Sequence, residues 1–215
     1  RHIQDIELEL SYARNYINDS CIWRVPKGSK ALPSMGAPGQ LGTKFYRWQF
    51  YLRSAFFNPR IMRVIVNDFF AKFGHLLREG AVQLAGVESA AMPMLTAFSL
   101  EADRSGCPVN VFSIRKEQKK YGRRQWIEGT VVDKPVLLVD DVVSPVHYTM
   151  QHALKILSMH EIDTINHMYC LLYKTRTPDA QVTRGGKSYD VNHIFCLHDF
   201  DMLLEDYERA KACKK

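Results

Sequence analysis

Between residues 136 and 150 the chain reads VLLVDDVVSPVHYTM. Four consecutive apolar residues describe a strand buried on both faces. Such a strand delivers the two aspartates that follow, Asp140 and Asp141, to the edge of a sheet. After a short loop, HYTMQHALKILS carries helical spacing. The surrounding sequence repeats this alternation. VQLAG, VNVFSI, INHMYCLLY and HIFCL read as strands. SAAMPMLTAFSLEADR reads as a helix capped by Ser89, and DFDMLLEDYERAK as a terminal helix. Continuous apolar strands alternating with helices imply an α/β fold whose parallel sheet is covered on both faces. Ligands of such sheets bind beyond the carboxyl ends of the strands. Three loops fall there: 86–89, 115–129 and 140–148.

The first 80 residues have a different texture. Residues 26–43, PKGSKALPSMGAPGQLGT, form a long irregular connection rich in Pro, Gly and Ser. In NPRIMRVIVNDFFAKFGHLL, Asn58 is placed to cap a helix and Pro59 to open it. Ile61, Ile65, Phe69, Phe73 and Leu76 then recur three or four apart on one face. The expected division is a helical, divergent region over 1–80 and an α/β core over 81–215. No apolar run approaches the ~20 residues that span a bilayer, and no signal-peptide pattern opens the sequence. Five scattered cysteines, odd in number and never in CxxC pairs, disfavour a disulfide framework or zinc site and suit a reducing cytoplasm.

The net charge is +6, and its placement matters more than its size. Basic residues gather in RKEQKKYGRR (115–124), with a second group over 174–187. A charge run is commonly just a solvated surface. This one contains a glycine, lacks periodicity and falls at a strand's carboxyl end, so it can neutralise a developing negative charge such as a pyrophosphate leaving group. Asp140 and Asp141 repel each other unless sugar hydroxyls, a cation or a basic centre lies beside them. One of them capping a helix is the plainer alternative. His160, His167 and His193 lack ligand spacing and read as structural. Among the tryptophans Trp23 and Trp48 read as packing residues, and Trp126, inside the basic loop, is placed to stack on a ligand.

Taken together, LAGVESAAMP, IRKEQKKYGRRQWIEG and VLLVDDVVS resemble three motifs of the type I phosphoribosyltransferases, specifically the orotate phosphoribosyltransferases. The tail HIFCLHDFDMLLED is similar to the family's last strand and helix. The resemblance covers about the C-terminal two-thirds of the chain. It implies a central parallel sheet flanked by helices with a divergent N-terminal hood, in which GQLGTKFYRWQFYLR is weakly similar to the substrate strand. It implies transfer of phosphoribose from phosphoribosyl diphosphate (PRPP) to a nitrogenous base, orotate by nearest motif, with release of pyrophosphate. Asp140 and Asp141 would then contact the ribose hydroxyls, with Asp141 assisting proton movement. LAGVESAAMP would be the pyrophosphate-contacting loop, with Glu88 and Ser89 as substrate-binding candidates. Arg115, Lys116 and Lys119 would bind pyrophosphate, with Lys120 and Tyr121 in the same basic loop. Mg2+ would bind mainly through PRPP, with no protein metal site, and a cytoplasmic homodimer is implied.

The sequence departs from that family in two places. After Ser144 come Pro145, Val146, His147, Tyr148 and Thr149, where the family has small hydroxyl residues around a glycine that cradle a 5′-phosphate. Pro145 lacks an N–H, Val146 resists positive φ, and Tyr148 is bulky. Ser144, His147 and Thr149 remain as phosphate partners. The first loop carries Glu88 and Ser89 where the family tends to have no acid. Glu88 must therefore face away or pair with the basic loop. These departures support an alternative: an altered or inactive homologue serving as a nucleotide- or PRPP-binding regulatory module. Nucleic-acid binding is disfavoured, because the basic residues gather at the loop instead of forming a separate stripe.

Overall fold

A computed structural model describes residues 3–26, 28, 34–35, 44–118, 125–144, 148–175, 177–201 and 207–209. In chain order the elements are α1 (Ile3–Ser20), β1 (Ile22–Arg24), β2 (Ser34–Met35), β3 (Lys44–Tyr46), β4 (Trp48–Phe50), α2 (Arg53–Phe56) and α3 (Pro59–Arg78). Then come β5 (Gln83–Val87), α4 (Met92–Arg104), β6 (Val111–Ile114), β7 (Ile127–Glu128), β8 (Val136–Val143) and α5 (Tyr148–Met159). The chain continues through β9 (Thr164–Tyr173), β10 (Val182–Arg184), β11 (Lys187–Cys196), a 3₁₀ turn (Leu197–Phe200) and β12 (Tyr207–Arg209).

Seven strands form the main sheet in the order β10-β11-β9-β8-β5-β6-β7. Its five inner strands, β11, β9, β8, β5 and β6, run parallel, as the continuous apolar runs predict. The edge strands β10 and β7 are antiparallel, so the sheet is mixed. β8 is its middle strand, and its burial alternates by face. Leu137 and Val139 join one core cluster with residues of α1, α3 and α4, while Val136 and Leu138 join a second with α5. That period of two, with helices above and below, is why the strand reads as uninterrupted hydrophobic sequence.

Helix α3 opens as expected: the Asn58 side chain accepts from the Arg60 and Ile61 N–H groups, and Pro59 follows at the first helical position. Its buried face includes Ile61, Ile65, Phe69 and Phe73; Leu77, rather than the partly buried Leu76, completes it. Phe69 stacks on Phe98 of α4 at 3.9 Å between ring centroids, and both rings meet the edge of Tyr169 in β9. The Tyr169 hydroxyl donates to Asp68 Oδ2 at 2.9 Å, so this buried phenol is satisfied within the same packing layer.

Two local expectations are corrected. Ser89 does not cap α4 through its side chain. The cap position is Ala91, and the backbone carbonyl of Ser89 accepts from Met92 N at 3.3 Å. The terminal segment is not one helix: β12 pairs antiparallel with β3, which also pairs with β2 in a small three-stranded sheet. A separate antiparallel pair joins β1 to β4.

Candidate active site

The carboxyl ends of β5, β6 and β8 meet on one edge. Val87 pairs with Ile114, Ala85 pairs with Leu138, and the Glu88 N–H donates to the Ile114 carbonyl at 2.9 Å. Glu88–Ser89, Arg115–Lys116 and Asp140–Asp141 therefore leave the sheet together. Gly86 is what lets these elements approach: a Cβ there would lie 2.5 Å from both the Ala91 Cβ and the Val139 carbonyl oxygen. The Glu88–Ser89 peptide is cis.

Asp140 and Asp141 sit inside β8, and neither caps a helix. Asp140 is 3% exposed; its Oδ1 accepts from the Asp141 N–H at 2.8 Å, and Asp141 Oδ1 accepts from the Val142 N–H at 2.9 Å. Burial, reinforced by the neighbouring charge of Asp141, pushes the Asp140 carboxyl well above its ordinary range. The Asp141 N–H and the positive charge of Lys116 act in the opposite sense. This is an acid whose ionised form is incompletely supported by the protein alone. A polyhydroxylated or cationic group arriving beside it would supply the missing stabilisation.

The base of the basic loop is firmly placed. The Arg115 N–H donates to the Trp126 carbonyl at 2.8 Å, and β6 pairs with β7 just beyond. The Arg115 guanidinium makes a close ion pair with Glu128 and lies 3.8 Å from Glu88 Oε2. Glu88 thus pairs with the basic loop, the second of the two arrangements its sequence context allowed. Lys116 is exposed. Lys119, Lys120, Tyr121 and His147 lie outside the described residues, as do Pro145 and Val146. Ser144 follows β8 and Thr149 lies in the first turn of α5, both half-buried, while the Tyr148 side chain is 50% exposed.

Three residues escaped sequence reasoning. Lys174 follows β9 at the same sheet edge, its N–H donating to the Val143 carbonyl at 2.8 Å, and its ammonium lies 5.0 Å from the centre of the buried Trp48 ring. Burial lowers the pKa of Lys174. Its position after a long apolar strand was a usable signal, obscured by its membership of the basic group 174–187. His152 of α5 meets the Arg115 carbonyl through Nε2 at 2.7 Å and packs edge-on to Trp126. Because a carbonyl only accepts, Nε2 carries the proton there. Arg53 of α2 donates from Nη1 to Ser89 Oγ at 3.4 Å. Its separation of 36 residues from Ser89 left no local signal. Trp126, expected as a ligand-stacking candidate, contacts His152.

No protein-family model matches the chain. Among curated proteins it is 33% identical over 123 residues to the orotate phosphoribosyltransferase of Pyrococcus horikoshii, covering 53% of this chain and 58% of that protein. It is 34% identical over 95 residues to the enzyme of the same name from Pyrococcus furiosus, covering 40% and 45% respectively. The matched region thus spans about half the length of these relatives. Among solved structures, a Corynebacterium diphtheriae phosphoribosyltransferase superposes with a TM-score of 0.65 at 19% identity, over 91% of this chain and 99% of that one. The Mycobacterium tuberculosis orotate phosphoribosyltransferase in complex with PRPP gives 0.58 at 15% identity, over 93% and 98%. With the mixed sheet, the paired aspartates of its middle strand and the loops at its carboxyl edge, these similarities show that the chain has the fold of the type I phosphoribosyltransferases and that part of its sequence is similar to orotate phosphoribosyltransferases.

Proposed function

We propose that this chain transfers phosphoribose from PRPP to orotate, releasing pyrophosphate. The observation that carries the reading is the convergence on one sheet edge of a buried, poorly supported carboxylate (Asp140), its neighbour Asp141, the cations Arg115 and Lys116, and Lys174 beside Trp48. In the transfer a ring nitrogen of the base bonds to the ribose C1. The C1–O bond to the diphosphate breaks, its electron pair leaves with pyrophosphate, and the base gives up its N–H proton. Asp140 and Asp141 hold the ribose hydroxyls, and Asp141 is the carboxylate available to help move that proton. Lys116, with Lys119 of the same loop, offsets charge gathering on the leaving oxygens. A lysine ammonium above an indole suits an acceptor that is flat and carries a carboxylate, which is the chemistry of orotate.

Among the described residues no three His, Cys, Asp or Glu side chains group to hold a metal. In this reading Mg2+ would be carried on the diphosphate's own oxygens, with Asp140 and Asp141 as neighbouring carboxylates. Bound in that way it would offset charge on the leaving group. Incubation with PRPP, Mg2+ and orotate, followed by chromatography for orotidine monophosphate, tests the reading. Absence of turnover with every base offered overturns it. The sequence of 144–149 favours a second reading, a homologue that binds PRPP or a nucleotide without turnover. Calorimetric binding of PRPP in the absence of any product identifies that case.

A further inference from the structure

We propose that Arg53 is a diphosphate-binding residue, brought from α2 to the turn between β5 and α4. This rests on the phosphoribosyltransferase reading above and gives a role to the last residue of GQLGTKFYRWQFYLR, a segment whose resemblance to a substrate strand assigns Arg53 none. Its backbone is anchored, because Leu52, Ala55 and Phe56 are buried while the Arg53 side chain is exposed. That side chain reaches the exposed Ser89, the residue after Glu88 at the carboxyl edge of β5.

The charges in this corner explain why a cation from elsewhere is required. Arg115 sits between Glu88 and Glu128, so one guanidinium faces two carboxylates. A polyanionic leaving group approaching Ser89 meets an Arg115 already engaged by two carboxylates, so beside Lys116 a further cation would favour it. Arg53 is the cation at that turn, and among the described residues its one partner is the Ser89 hydroxyl, not a carboxylate. A guanidinium has five N–H donors in a rigid fork and stays charged at any working pH. Donation to Ser89 from Nη1 orients the fork and leaves its other N–H groups for phosphate oxygens. The Ser89 hydroxyl, accepting from Arg53, keeps its own proton to donate to the same anion. Arg53 and Ser89 together form a two-residue diphosphate clamp at this turn.

Titration calorimetry with pyrophosphate, with and without Mg2+, tests this on the wild-type chain and on Arg53→Ala and Arg53→Lys. Loss of a charge-assisted contact predicts roughly 10- to 100-fold weaker pyrophosphate binding for Arg53→Ala. An unchanged melting temperature should accompany that loss, with intermediate affinity for Arg53→Lys. Equal pyrophosphate affinity in Arg53→Ala and wild type overturns the role of Arg53 and leaves the family reaction standing. A loss seen only alongside a lowered melting temperature overturns it as well. Failure of the wild-type chain to bind either pyrophosphate or PRPP overturns both.

Discussion

Substituting Gly86 by alanine isolates the close approach on which the site depends. Gly86 does not need a left-handed backbone, so the effect is one of space alone. The new Cβ would sit 2.5 Å from the Ala91 Cβ and 2.5 Å from the Val139 carbonyl oxygen, about 0.9 Å short of the 3.4 Å where ordinary contact begins. The Leu95 methyl at 3.3 Å can turn aside, but the carbonyl is main chain of β8 and the Ala91 methyl has no rotamer to change. Relief requires β5 to part from β8, or the start of α4 to lift, by the better part of an ångström. Overpacking of this kind costs about 1–3 kcal/mol. For a chain of this size it lowers the melting temperature by roughly 2–12 °C. Because Val139 immediately precedes Asp140, the displacement also moves Asp140 and Asp141 relative to Glu88 and Arg115. Melting followed by circular dichroism, together with PRPP titration, reads both effects. A Gly86→Ala chain with wild-type melting and wild-type PRPP affinity would refute the reasoning.

Other substitutions separate the roles of neighbouring groups. Asp140 has its folded pKa raised, so its ionisation costs stability as pH climbs from the ordinary carboxylate range through the raised value. Asp140→Asn should therefore raise the melting temperature near neutral pH, leave it nearly unchanged in acid, and abolish transfer; a lower melting temperature at neutral pH contradicts this. Lys174→Ala should weaken orotate roughly 10-fold or more while PRPP affinity holds, and an equal loss for both substrates rejects an acceptor role. Trypsin should cut the basic segment 115–124 faster in His152→Ala than in wild type, since the contact to the Arg115 carbonyl is lost. Identical cleavage rates would show that His152 does not fix the base of that loop.

The parts of this fold legible in the sequence are those with strong local patterns. Strand β8 shows itself because both faces are covered, and helix α3 because its cap, its proline and its apolar stripe agree. The antiparallel edges are too short to announce themselves: β7 has two residues and β10 three. Ser89 has the right chemistry for a cap, yet the turn holds it back and α4 starts after Ala91. The Arg115–Glu128 ion pair was beyond local reading, since it forms only when Ser113 pairs with Glu128. Pairing of Glu88 with the basic loop was, by contrast, one of the two arrangements its sequence context allowed. The aspartates and the basic segment were readable as one site because three strand ends share an edge. Lys174 and Arg53 were not, because their contacts are with Trp48 and Ser89, which tertiary packing brings near.

The pairing of β12 with β3 has a consequence for the order in which the molecule is made. Tyr207 lies opposite Tyr46, and Arg209 opposite Lys44. A chain emerging from the ribosome can complete helix α3 and the parallel ladder of β5, β6, β8 and β9 while the partner of β3 is still unsynthesised. Closing so long a loop is the slow kind of contact. Strands β2 and β3 must therefore wait, as an unfinished sheet, until residues 207–209 are made. The central sheet thus has time to assemble first, and the small sheet of β2, β3 and β12 closes after it.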